Sequence, residues 1–183
     1  MKLLFYPTLF FLLCISFVKQ KQIRHDQHSA LNWKNFKGRA DRKSKYYANT
    51  SSGYQYSASL VGDSLKVEVP CYFFPYQSWL KKGKGTPELL KHEQVHFDIT
   101  EVYTRKIRSE IKRGKYTLKN ANKSIVKIIK KYDKQLNAAQ KKYDKETNHS
   151  INEEEQKKWN ALVEKQLIHS AKDAEPTIML KVK

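Results

Sequence analysis

The sequence predicts an α+β protein, with a small antiparallel sheet in the N-terminal half packed on two or three long helices. Three observations carry this expectation. Two runs that alternate apolar and polar residues, 54–60 and 65–69, flank a Gly62-Asp63 turn, which is a hairpin signal. After Thr86, apolar residues recur at helical spacing in stretches separated by Gly114 and by Thr147-Asn148-His149-Ser150. The first of these stretches holds His92-Glu93-Gln94-Val95-His96 on the face that should turn inward.

Taken in order, the chain opens on Lys2 and an apolar run from Leu3 to Val18, closed by Lys19. A short positive start followed by an apolar core reads as an export signal over residues 1–18, or as an N-terminal membrane anchor if it stays uncleaved. It is shorter than the ~20 apolar residues of a spanning helix. Residues 19–30 are polar and read as a tether, with His25 and His28 expected in solvent. Residues 31–183 are expected to form one domain, which suits a chain of 183 residues. Residues 31–36 alternate and suggest a first short strand, and a charged loop follows from Gly38. Pro70 and Pro75 should end the sheet.

Thr86 is placed to cap a helix, with Pro87 at its first position and Glu88 in its first turn. That helix should run to about Lys112, with Leu89, His92, His96, Ile99, Tyr103, Ile107 and Ile111 on its apolar stripe. A second helix is expected from Leu118 to about Lys145. A third should start after Asn152 with Trp159, Leu162, Val163 and Leu167 inward, and the run 177–180 could add a strand.

The formal net charge is +18, mostly from lysine. Lysine pairs such as Lys130-Lys131 and Lys141-Lys142 look dispersed along helices rather than gathered in one strip with interleaved aromatics. Solvated helix faces are therefore expected, and no specific nucleic-acid partner. Of the two cysteines, Cys14 falls in the signal, leaving Cys71 without an intrachain partner.

His92 and His96, four apart on a helix, can face one zinc ion, and Glu93 can serve as general base. Such a site needs a third protein ligand. On a continuous helix Asp98 and Glu101 lie about 120° and about 180° round the axis from His92, so neither joins the histidine face. They remain candidates to orient a histidine ring from behind. Of the other histidines, His149 is best placed to complete the site because it lies at a helix break, where a local capping role is the alternative. His169 falls late in the last helix and is expected exposed or core-packed.

Several separated motifs then converge. They are Leu31-Asn32-Trp33 with Phe36 and Gly38, Ala48-Asn49-Thr50 with Gly53, Ser78-Trp79, the run from Leu89 to Ile99, and Tyr143-Asp144-Lys145-Glu146-Thr147-Asn148-His149 with Gln156 and Trp159. Together they resemble the DUF922 family, exported bacterial proteins described as predicted secreted zinc-dependent proteases. The resemblance implies a zincin-like active-site helix, zinc at His92 and His96, and Glu93 as base. Through the family's Thr-x-His-Gly pattern it also implies a functional His149, with Ser150 standing where the family's glycine is expected.

The expected activity is peptide-bond hydrolysis of a peptide or protein substrate outside the cytoplasm, in the periplasm, envelope or medium. Tyr143 and Arg105 are candidate oxyanion donors. By analogy with zinc peptidases, the strand 65–69 could bind substrate backbone. Two rival readings are a non-catalytic envelope scaffold with a structural zinc site and a basic polyanion binder. Oligomeric state is not legible in the sequence.

Overall fold

The computed structural model describes residues 21–26 and 30–182. The expected signal over 1–18, and His28, lie outside the described residues. The chain forms β1 (Ile23–Arg24), β2 (Ala48–Asn49), β3 (Ser52–Tyr54), β4 (Ser57–Val61), β5 (Ser64–Glu68), β6 (Cys71–Phe73) and β7 (Trp79–Leu80). Three helices follow, α1 (Pro87–Arg113), α2 (Ala121–Thr147) and α3 (Glu153–His169), and then β8 (Thr177–Lys181). The architecture is α+β, with small antiparallel sheets and three helices.

α1 is the centre of the molecule. The Thr86 hydroxyl accepts from Leu89 N–H and so satisfies one of the free donors at the helix start, with Pro87 at the first turn. The sequence marks one inward stripe on α1, but the fold buries more than that. Phe97 packs on Leu31, Cys71 and Phe73, while Val95, Ile99 and Val102 pack on Leu136, Tyr143, Trp159 and Val163 of the other two helices. Ile107 and Ile111 join Val67, Val69, Ile125 and Ile178 in a third cluster. A helix with sheet on one side and helices on the other is apolar on both.

The strands make three small sheets, in the orders β1-β6-β3, β2-β7 and β4-β5-β8. The hairpin forms as expected. β4 and β5 pair across Gly62-Asp63, with Gly62 at φ +61, a left-handed turn position that glycine takes without steric cost. The tail 177–180 does add a strand, pairing with β5 from Glu68↔Thr177 to Ser64↔Lys181. β5 is thereby enclosed between β4 and β8. It presents no free edge, so the expectation that 65–69 binds substrate backbone does not hold.

Other expectations are corrected. Residues 31–36 form no strand: Asn32 and Asn35 close a reciprocal capping box around a 3-10 turn at Trp33–Asn35. β6 lies between the two prolines that should have ended the sheet, since neither Pro70 nor Pro75 falls within its three residues. The polar stretch expected as a free tether contains β1, paired with β6, and a buried His25. Leu162 is exposed rather than inward. No helix among the described residues is long and apolar enough to cross a membrane.

Candidate metal centre

The site is built where α1 and α2 meet. α2 is apolar on its inner face through Ile125 and Leu136, then turns polar at Gln140 and Asp144 as it passes the histidines. His92 Nε2 and His96 Nε2 lie 3.2 Å apart. Asp144 Oδ1 is 3.3 Å from the first and 3.0 Å from the second. Ligand atoms from His92, His96 and Asp144 all fall within 4.8 Å of one another, a grouping able to hold a metal ion.

The far nitrogens of both rings are fixed by glutamines. Gln140 Nε2 donates to the His96 carbonyl (2.9 Å), which turns its Oε1 onto His96 Nδ1 at 2.6 Å. Gln156 Nε2 donates to Asn160 Oδ1 and to the Tyr143 hydroxyl, so its Oε1 meets His92 Nδ1 at 2.9 Å. A carbonyl oxygen only accepts, so each Nδ1 carries a proton, which leaves Nε2 as the nitrogen of each ring able to ligate once it carries no proton of its own. Two ring nitrogens and a carboxylate oxygen so close together are a donor set that could hold a cation.

The electrostatics agree. Burial opposes charge on Asp144, but hydrogen bonds from His92 and His96 and the charges of His96 and His149 outweigh it and hold its carboxyl well below the usual carboxylate range. Burial also opposes charge on His96. There the Asp144 hydrogen bond and the negative field of Glu93 win, and its pKa is raised above the ordinary imidazole value.

Glu93 is 3 % exposed, and its Oε2 makes no hydrogen bond. A buried carboxylate oxygen without a donor is costly, and it is the kind of group a site retains for chemistry. With His92, His96, Asp144 and His149 it lines a cleft of about 890 Å³. The opposite wall is the continuous stretch 45–52. Two histidines of fixed tautomer, a carboxylate and an unpartnered acid at an open cleft fit a divalent metal such as zinc.

The other expected residues fall as follows. His149 is brought to the site: its Nδ1 lies 3.3 Å from Asp144 Oδ1 and its ring rests on Tyr46. It sits in a run of three left-handed residues, Asn148, His149 and Ser150 at φ 45, 53 and 76, which reverses the chain after α2. It stands outside the three-residue metal grouping.

Tyr143 is not an oxyanion donor. It is fully buried, stacks on the His92 ring and donates its hydroxyl proton to the His92 carbonyl. Burial pushes that hydroxyl far up, so it stays a neutral donor. Arg105 lies about 20 Å along α1 from His92 and pairs with Glu101 at 2.7 Å, away from the cleft. Glu101 is held between Arg105 and Arg108 and orients no histidine of the site. Asp98 accepts from Gln94 and lies 2.9 Å from His25 Nε2, on the side of α1 turned away from the cleft. Asp144, Gln140 and Gln156 were missed. The signal for the first two was the polar break in the apolar stripe of α2.

Compared with known proteins, residues 79–150 match the model of the DUF922 family, described as a bacterial protein of unknown function. That segment carries α1, α2 and the turn to His149, and therefore all three residues of the metal grouping. Neither the comparison with curated proteins nor that with solved structures gives a match.

Proposed function

We propose, on the premise that the chain belongs to the DUF922 family through residues 79–150, that it is a zinc-dependent hydrolase cleaving peptide bonds. His92, His96 and Asp144 would hold the ion. Bound there, zinc would supply Lewis acidity, polarising a carbonyl oxygen and making water acidic enough to attack near neutral pH. The observation that carries the reading is the unpartnered, buried Glu93 Oε2 beside this grouping.

Glu93 accepts the proton of the attacking water and returns it to the leaving nitrogen. Gln140 and Gln156 keep both imidazoles in the ligating tautomer, and Tyr143 holds the His92 ring by stacking. The wall 45–52 is suited to an extended peptide. Lys81 N–H donates to the Tyr47 carbonyl, and Asn49 pairs with Trp79, so the alternation of an antiparallel ladder turns the backbone groups of Ala48 away from β7. Ala48 also lines the cleft, so these groups would be the ones to pair with a substrate backbone there. A structural zinc site is closed by four protein ligands, whereas this grouping has three and opens on a cleft.

The test pairs metal content with hydrolysis of an unfolded protein. One zinc per chain is expected, with cleavage abolished and metal retained in Glu93→Gln. Full zinc occupancy without hydrolysis of any peptide or amide substrate would replace the peptidase with a scaffold.

A further inference from the structure

Lysines that look dispersed in the sequence are gathered by the fold. α2 carries Lys123, Lys127, Lys130 and Lys134 in its first half, all exposed. Lys131, then Lys141, Lys142 and Lys145, continue the series and are exposed too. At about 100° per residue, all eight project within an arc of about 120°, along about 33 Å of axis. The arc is opposite the face that packs on α1.

The acids of α2 lie off this arc and are engaged elsewhere. Asp133 accepts from the Tyr54 hydroxyl, Asp144 belongs to the metal grouping, and Glu146 accepts from Trp159 Nε1. Only two lysines, at one margin of the arc, have an acidic partner among the described residues: Lys131 with Glu110 and Lys142 with Glu146. α3 is different. Its exposed residues mix signs, with Glu153, Glu154 and Glu164 among Lys157, Lys158 and Lys165. Lysine content alone would not give one helix a single-signed face and its neighbour a mixed one.

We propose that this strip docks the protein on an anionic lipid bilayer. A straight, one-sided row of ammonium groups fits a plane of mobile negative headgroups, to which each lysine near the surface adds attraction over about a Debye length. The strip holds no arginine for bidentate phosphate recognition and no exposed aromatic on which bases could stack, which disfavours a nucleic acid. Its one exposed apolar residue is Ala138, so the helix adsorbs to a surface without inserting. The expected export signal or anchor at residues 1–18 would bring the chain to the same surface. Asp144 lies about 100° round the helix from the strip's centre, which leaves the cleft side clear of the bilayer.

Co-sedimentation of the full chain with vesicles tests this independently of zinc. Phosphatidylcholine vesicles are compared with vesicles that also contain phosphatidylglycerol, at rising salt. Partitioning should be at least about tenfold higher on the anionic vesicles and should fall with salt. A triple Lys127→Glu, Lys134→Glu, Lys141→Glu variant should lose about 100-fold. The same charge change on α3, Lys157→Glu, Lys158→Glu and Lys165→Glu, should stay within about threefold of wild type.

Thermal melting by circular dichroism checks that each variant folds. Lys→Gln at the same three α2 positions gives the same reading if the charge reversal does not fold. Equal partitioning on neutral and anionic vesicles would overturn the proposal. An equal loss in the α3 variant would do the same, as would tighter binding to duplex DNA than to vesicles that the α2 variant abolishes.

Discussion

α1 buries two clusters of charged side chains, and they differ in one respect. In its second half Glu101 is 1 % exposed, between Arg105 and Arg108. Every bond there is accounted for: Arg108 also donates to the carbonyls of Val69, Asp173 and Ala174, and Arg105 to that of Leu167. In the first half, Glu93 is buried almost as deeply, yet one of its oxygens has no donor and the Nε2 atoms of His92 and His96 lie 3.2 Å apart beside it. Burial of charge therefore does not identify a site. A closed network holds the fold together, whereas a buried acid left unsatisfied beside possible ligand atoms at a cleft makes a candidate functional site.

The contrast makes graded predictions. Arg108→Ala should cost about 3–5 kcal/mol in urea unfolding, because it strands Glu101 in the core with one partner in place of two. A loss under about 1 kcal/mol would mean that the closed network is not structural. Gln156→Ala should leave the fold intact but weaken zinc binding by about 10–100-fold, since His92 would lose the acceptor that sets its tautomer. Unchanged zinc affinity would remove Gln156 from the support of the site. Glu93→Gln should leave metal-free stability unchanged or raise it by up to about 1 kcal/mol, because the Oε2 it replaces has no hydrogen-bond partner to lose. A large loss would place Glu93 with the structural cluster.

The smallest expected effect concerns the turn that aims His149. Ser150 adopts φ 76, so Ser150→Gly should stabilise the protein by about 0.5–1 kcal/mol, read as a small rise in melting temperature. No gain would mean that the serine hydroxyl offsets its backbone cost.

The parts legible in the sequence were those with local causes. Thr86 and Asn152 cap their helices, and Gly62 turns the hairpin, because the residues responsible lie within one turn of the feature. What escaped depends on distant partners. β6 exists because β1 and β3 pair on either side of it, and His25 is buried because Asp98 and Phe97, more than seventy residues on, receive it. The site divides the same way. His92, Glu93 and His96 announce themselves by spacing on one helix. Asp144 was one of many acids until α2 was laid against α1, and only the packed structure distinguishes it from His149 as the nearer group to the histidine nitrogens.

That assignment is the centre of the account, and zinc competition titration of wild type, Asp144→Asn and His149→Ala tests it most directly. One zinc per chain is expected, with affinity lower by at least about 100-fold in Asp144→Asn and by less than about tenfold in His149→Ala. Wild-type affinity in Asp144→Asn, with binding lost in His149→Ala, would contradict it.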